Sequence, residues 1–237
     1  MSDLGFIRVA VPVRTQVEDA LRTAIGNGRF LPGDRFVERE LCALLGVSRP
    51  LLREALRQLE AEGLINTVPG RGLIVTVLNL EDARNLFAVR AELEGLAARS
   101  FAERSDEATI AALRKSIEAL ELLVATGDAE RVRSAKNEFY DLLMRGSGNG
   151  ILSEMLRMLH NRIQLLRVTN FGEPGRMEKA VIELRGIFDA IERHDGPAAH
   201  KLSREHIRNA AAALEQALAR RDEADKTRSR GSIETTA

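Results

Sequence analysis

Cysteine is almost absent from this 237-residue chain: Cys42 stands alone, so neither an intramolecular disulfide nor a cysteine zinc site can form. Tryptophan is missing, tyrosine occurs once and phenylalanine eight times. The core must therefore be built from Leu, Ile, Val and Ala, which favours helices packed on helices. No run approaches the roughly 20 unbroken apolar residues of a membrane span, and Met1-Ser2-Asp3-Leu4-Gly5 lacks the basic-then-apolar order of a secretory signal. These absences predict a cytoplasmic chain with no membrane partner. Net charge is missing too: 35 Lys and Arg balance 35 Asp and Glu, so any affinity for polyanions must come from a local patch. Lysine is scarce, and taking five lysines from those 35 basic residues leaves 30 arginines. Arginine suits bidentate contacts to phosphate and guanine. A genome-wide codon bias gives the same excess, so the count decides nothing.

What is present is an ordinary globular composition, 44% hydrophobic and 30% charged. Residues 1–13 form an arm without periodicity. Val17, Ala20, Leu21, Ala24 and Ile25 recur at helical spacing and predict a helix from about Arg14 to Ile25. Gly26-Asn27-Gly28 and Leu31-Pro32-Gly33-Asp34 make turns. Two short helices follow, over 37–45 and 49–62, joined by Gly46-Val47-Ser48, with Ser48 as N-cap and Pro50 in the first turn. Two β-branched runs, 64–68 and 73–77, flank Pro69-Gly70-Arg71-Gly72 and predict a β-hairpin. From Asn79 the pattern becomes purely helical, over about 80–104, 106–126, 128–145, 150–170, 176–194 and 197–221, with Asn79, Ser105 and Asp128 as N-caps. The fold class is thus mostly α: a winged helix-turn-helix over 14–78, an antiparallel helical bundle over 79–222, and a polar tail over 223–237.

Helix, turn, helix and hairpin in that order are the parts of a DNA reader, and the charge pattern agrees. Val37, Leu41, Leu44, Leu45, Val47, Leu52, Ala55, Leu56 and Leu59 can fix the two short helices against each other. Arg49, Arg53 and Arg57 fall at i, i+4 and i+8, one stripe along the second helix. Like charges at that spacing destabilise a helix by roughly 0.2–0.5 kcal/mol per pair. Arg57 has Glu54 and Glu60 to offset this, whereas Arg49 and Arg53 have no carboxylate three or four positions away within the helix. The uncompensated charge lies at the N-terminal half, the part that enters the major groove in this motif. A solvated face would explain the stripe alone. Arg71 between two glycines at the hairpin tip supplies a second observation, because glycine lets a backbone approach phosphates or a groove wall.

The runs Phe30-Leu31-Pro32-Gly33-Asp34, Glu38-Arg39-Glu40-Leu41, Gly46-Val47-Ser48-Arg49, Leu52-Arg53-Glu54-Ala55-Leu56 and Leu59-Glu60-Ala61-Glu62-Gly63-Leu64 resemble the GntR family of bacterial transcription regulators. The resemblance implies that Arg39 on the first short helix, and Ser48, Arg49 and Arg53 on the recognition helix, contact DNA. It also implies that Gly70 and Arg71 form the wing tip in the minor groove. Arg49 or Arg53 could pair bidentately with guanine, while Ser48 and the helix N-terminus suit a phosphate. The implied partner is a palindromic double-stranded operator, bound by a homodimer acting as a repressor near the nucleoid.

The bundle resembles the FCD ligand-sensing domain of the FadR-type branch, in its six-helix form. The echoes are Arg90-Ala91-Glu92-Leu93-Glu94, Phe139 with the later Gly148-Asn149, and Arg204-Glu205-His206. The resemblance also implies a divalent metal held by one aspartate and three histidines, but those positions fall on Lys136, Tyr140, Leu184 and His206. One imidazole, an ammonium and a phenol do not make a first-row divalent site, so no metal and no other cofactor is expected. Lys136 and Tyr140 share a helix face, and His206 would oppose them. Together they could bind a carboxylate or other anionic effector directly. Alternatively Lys136 snorkels to solvent and Tyr140 merely packs. Arg90, Arg162 and Asn209 are further candidates for that pocket. His160, His194 and His200 are read as surface or helix-end residues, and Cys42 as a small core residue.

Catalytic signatures are missing. No lysine follows a glycine, which excludes a Gly-Lys-Ser/Thr phosphate loop, and no His-Glu-x-x-His occurs. Gly46-Val47-Ser48 continues into Arg49-Pro50 without the second glycine of a nucleophile elbow. An enzyme is not expected. The remaining rival is an architectural nucleic-acid binder whose bundle dimerises but senses nothing, which an apolar, filled bundle interior would favour.

Overall fold

The computed structural model describes residues 12–169 and 175–234, and the chain divides into two compact units. The first contains α1 (Val13–Gly26), α2 (Glu38–Leu45), α3 (Arg49–Ala61), β1 (Ile65–Val68) and β2 (Gly72–Val75), joined by residues 161–169 at the end of a later helix. Val17, Leu21 and Ile25 of α1 are spaced by four and share one buried stripe. That stripe meets Leu41 of α2, Leu52, Ala55, Leu56 and Leu59 of α3, and Phe36, Ile65 and Val75. Leu165 completes this core, which is why 161–169 belongs with the first unit although the sequence pattern places it in the bundle.

Helix α2 stops at Gly46, whose φ of 66° is left-handed and whose N–H bonds back to the Cys42 carbonyl at 3.0 Å. Cys42 itself is half-buried against the core. Ser48 sits in extended conformation at the N-cap of α3, but its side chain makes no capping bond, contrary to expectation. Two further expectations fail: Leu44 and Val37 are exposed, because an eight-residue helix presents only the Leu41 side to α3. The strands are antiparallel, with Ile65 opposite Val75 and Val68 opposite Gly72. Arg71 N–H bonds to Val68 O at 3.0 Å, closing a turn with Pro69 second and Gly70 (φ 75°) third, the residue order of a type II turn.

The second unit holds α4 (Leu80–Arg104), α5 (Glu107–Val124), α6 (Ala129–Gly146), residues 150–160 of α7 (Gly150–Thr169), α8 (Arg176–Glu192) and α9 (Gly196–Glu234). Asn79 and Asp82 form a reciprocal capping box on α4, with bonds of 2.8 and 3.0 Å. Asp106, not Ser105, caps α5 by accepting the Thr109 N–H at 2.9 Å. Its carboxylate accepts better than a hydroxyl and favours the positive helix end. Asp128 caps α6 as expected.

Phe101, Ile110, Leu113, Ile117, Phe139, Leu143, Leu184, Ile187, Phe188 and Ile191 make the main core of this unit. Helix α4 is lined with buried Ala83, Ala91, Ala97, Ala98 and Ala102. It passes so close to α9 that a Cβ at Gly95 would lie 2.9 Å from Arg204 Cγ. Helix α9 continues to Glu234 rather than ending near 221. Residues 217–230 contain neither glycine nor proline to stop it.

Candidate functional site

Two sets of polar side chains stand out, one in each unit. In the first unit, Arg39, Ser48, Arg49, Arg53, Arg57, Gly70 and Arg71 are all exposed. The structure therefore presents every expected DNA-contacting residue to solvent. Arg53 is not unpaired, however: its Nε–H donates to Glu38 Oε1 and Oε2 at 3.0 and 3.1 Å. The compensating carboxylate lies on α2, so counting charges within α3 missed it. This bond, followed by the charges of Arg53 and Arg49, holds the Glu38 carboxyl below its ordinary range despite a small opposing effect of burial.

The end of α3 is anchored by buried Glu62. Arg22 of α1 donates to both carboxylate oxygens, at 2.8 and 2.6 Å. Gln58 adds a bond of 3.0 Å and Asn161 one of 3.3 Å. Arg162 Nε–H donates to the Glu62 carbonyl at 2.8 Å. This overturns the expectation that Arg162 lines the effector pocket: it belongs to the first unit, where Glu62 fixes it.

In the second unit, helices α4, α6, α7, α8 and α9 bring a polar cluster into an otherwise apolar bundle. Arg90 and Glu94 are buried and bonded at 2.5 Å. His160 Nε2 lies 2.7 Å from Glu94 Oε1, and its ring stands edge-on to Tyr140 at 5.1 Å between centroids. Tyr140 Oη is 2.7 Å from His206 Nε2, and His206 Nδ1 is 2.5 Å from Glu183 Oε2. Asn209 and Arg176 donate to Glu183 at 2.9 and 3.0 Å. The Arg90 guanidinium lies 5.2 Å and the Lys136 ammonium 6.0 Å from the centre of the Tyr140 ring.

The electrostatics assign the protons. Burial pushes His206 down to about 4; the Glu183 bond opposes this and the Lys136 charge adds to it. At neutral pH the imidazole is therefore uncharged, with Nδ1–H donating to the Glu183 carboxylate and Nε2 accepting from the phenol. Burial alone would raise Glu94, but Arg90 and His160 outweigh it and hold the carboxyl at about 2. Glu183 likewise sits at about 2, because the His206 and Asn209 bonds overcome its burial. Burial also opposes the charge on Arg90, yet Glu94 and Tyr140 more than compensate and raise it above its usual range.

Lys136, Tyr140, His206, Arg90 and Asn209 are thus brought together as expected, with Arg162 excluded. The sequence reading missed Glu94, Glu183, Arg176 and His160. His160, expected at the surface or a helix end, instead faces inward: it follows buried Leu156 by four and precedes buried Ile163 by three. His194 is exposed and bonds the Ala102 carbonyl at 2.9 Å, in keeping with a helix end.

Profiles of two known families match this chain. That of the bacterial regulatory proteins, gntR family, matches residues 13–75, and that of the FCD domain matches 85–209, more than half of the chain. The chain belongs to the GntR family. Among its relatives, the HTH-type transcriptional regulator YdhC of Bacillus subtilis (strain 168) is 32% identical over 190 residues, covering 79% of this chain and 84% of the relative. The HTH-type transcriptional repressor RspR of Escherichia coli (strain K12) is 23% identical, covering 86% and 90%. The solved structure of E. coli McbR/YncC superposes with a TM-score of 0.77 at 23% identity, over 87% of this chain and 99% of the other, and shares the fold. A GntR regulator from Rhodococcus sp. RHA1 superposes at 0.74 with 25% identity over the same shares. This GntR-family chain is a DNA-binding transcription regulator with a winged helix-turn-helix and a helical FCD domain. No helix among its described residues is long and apolar enough to cross a membrane.

The metal that the FCD resemblance implies does not fit the side chains present. Lys136 and Leu184 offer no ligand at neutral pH, and both nitrogens of His206 are committed to Tyr140 and Glu183. Among the described residues, no three His, Cys, Asp or Glu side chains are placed to share an ion.

Proposed function

We propose that this GntR-family regulator is a repressor that binds a palindromic operator as a homodimer and releases or engages it in response to an anionic metabolite in the FCD bundle. The observation that carries the sensing role is the charge of the bundle cluster. Arg90 and Lys136 lie beside Tyr140, Arg176 bonds the Glu183 that holds His206, and the described carboxylates of the cluster are Glu94 and Glu183. An entering carboxylate can compete with Glu183 for His206, Asn209 and Arg176, and it then meets donors already oriented for an anion. Lys136, Tyr140, His206, Arg90 and Asn209 are the contacts assigned to it. No metal or other cofactor is required by this reading, and the bundle senses rather than catalyses.

The dimer rests on a second feature of the same unit. Exposed Val89 and Leu96 of α4 and exposed Ile151, Met155 and Met158 of α7 flank the packed seam of Leu93, Leu152, Leu156 and Leu159. Exposed apolar side chains on the two helices of this seam suit a second copy of the chain. The polar cluster inside the bundle also disfavours a purely architectural binder.

The test is selection of bound fragments from the source genome by the purified chain, with its oligomeric state measured in parallel. Discrete two-fold-symmetric sites bound by a dimer, and lost in an Arg49→Ala, Arg53→Ala control, are the expected result. Either substitution alone should weaken operator binding by about 1–3 kcal/mol if its side chain makes a bidentate base contact. Diffuse binding unaffected by the control would sink the reading.

A further inference from the structure

A guanidinium reads guanine with two parallel N–H groups aimed at O6 and N7. Any other bond it makes must leave that fork open. Arg53 meets this condition in an unusual way. Arginine–carboxylate pairs are commonly bidentate through two nitrogens, whereas Arg53 offers Glu38 only its Nε–H, shared between both oxygens at 3.0 and 3.1 Å. Among the described residues, no hydrogen bond engages its two η nitrogens.

Glu38 is also a poor residue to place on a DNA-binding face for any other purpose. It is the first residue of α2, only partly buried, and it lies within electrostatic reach of Arg49 as well as Arg53. Its charge repels every phosphate backbone that approaches, regardless of sequence. In water the exposed pair with Arg53 contributes little. In a groove emptied of water the same pair strengthens, because screening by solvent is lost. The two helices that carry it are locked by Leu41 against Leu52 and Ala55, so the carboxylate is held at a fixed place relative to α3.

We propose that Glu38 is a positioning residue for base readout: it grips Arg53 by Nε so that the η edge of the guanidinium meets a guanine of the operator. This rests on α3 being the recognition helix. Glu38 therefore acts on DNA binding with two opposite signs. It weakens contact with DNA in general and strengthens contact with the sequence that carries the guanine.

The opposite signs give the test. The full chain, wild type and with Glu38→Gln, Glu38→Ala or Arg53→Ala, is used to select from a randomised duplex library. Each protein is then titrated, at one salt concentration, with the wild-type consensus and with a scrambled duplex. Both Glu38 variants should bind the scrambled duplex about twofold or more tighter and the consensus about tenfold weaker. They should lose base preference at the same position that Arg53→Ala flattens, while melting temperatures stay close to wild type. Equal tightening on both duplexes, or an unchanged preference at the Arg53 position, overturns the proposal and leaves Glu38 as a simple charge. A wild-type chain that selects no sequence at all overturns the operator reading and this inference with it.

Discussion

His206 is held between an acid and a phenol: Nδ1 lies 2.5 Å from Glu183 on α8, and Nε2 lies 2.7 Å from Tyr140 on α6. Both ring nitrogens are satisfied, and His206 and Tyr140 are buried, so water is not at hand to replace the phenol. Tyr140→Phe removes one of them and strands Nε2, while the ring keeps its packing. The expected loss is about 1–2 kcal/mol of stability, seen as a lower midpoint in thermal or urea unfolding. An unchanged midpoint would show that this bond is not formed in solution.

Acid should weaken the fold, beginning well above the carboxylate range. Unfolded His206 takes up its proton near the ordinary 6.5, whereas the folded residue resists to about 4. Between these values the unfolded state carries the extra proton, so stability falls as pH drops from 6.5 towards 4. At pH 5.5 this one group removes about 1.4 kcal/mol. Glu94 and Glu183 act in the same direction lower down: their contribution is complete above the ordinary 4.5 and is lost as pH falls towards 2. Melting curves from pH 7.5 to 4 should decline steadily, and a flat profile across pH 6.5–5 would contradict the buried neutral imidazole.

Glu62→Gln takes from Arg22 the carboxylate that ties α1 to α3, leaving it only Asp19 and Glu18 of its own helix. Breaking a buried pair costs about 3–5 kcal/mol. Arg22 remains 22% exposed, so we expect about 2 kcal/mol after allowing for solvent. Operator affinity should drop at physiological temperature although Glu62 is buried, and recover on cooling. Loss of affinity at every temperature would argue for a direct contact instead.

Lys136→Ala should abolish the response to effector while sparing operator binding. A series of mono-, di- and tricarboxylates added to the operator complex provides the assay. A carboxylate that shifts wild-type and Lys136→Ala complexes equally would remove Lys136 from the pocket.

How much of this was legible beforehand depended on how local the physics is. Helix starts at Asn79 and Asp128, the Pro69-Gly70 turn and the arginine stripe of α3 are set by neighbours in the chain, and they read correctly from the sequence. Ser105 was preferred to Asp106 because the two candidate caps are adjacent. The partner of Arg53 could not be found within its own helix, since Glu38 is 15 residues away on α2. The same holds for the bundle interior. Tyr140 and His206 could be aligned as a pair through the family pattern, but Glu183 and Glu94 are visible as partners only once the helices are packed. Leu165 gives the plainest case: its helical periodicity identifies a buried residue without saying which of two cores it fills.

The Glu62 anchor also bears on how defective alleles of this regulator would be distributed. One carboxylate at the foot of α3 ties α1 and residues 161–169 to the recognition helix. Screens for cells that have lost regulation should therefore recover lesions at Arg22, Glu62 and Arg162 beside those on the DNA face. The two groups would separate by phenotype, the anchor alleles being temperature-sensitive and suppressible by stabilising second-site changes, the DNA-face alleles unconditional.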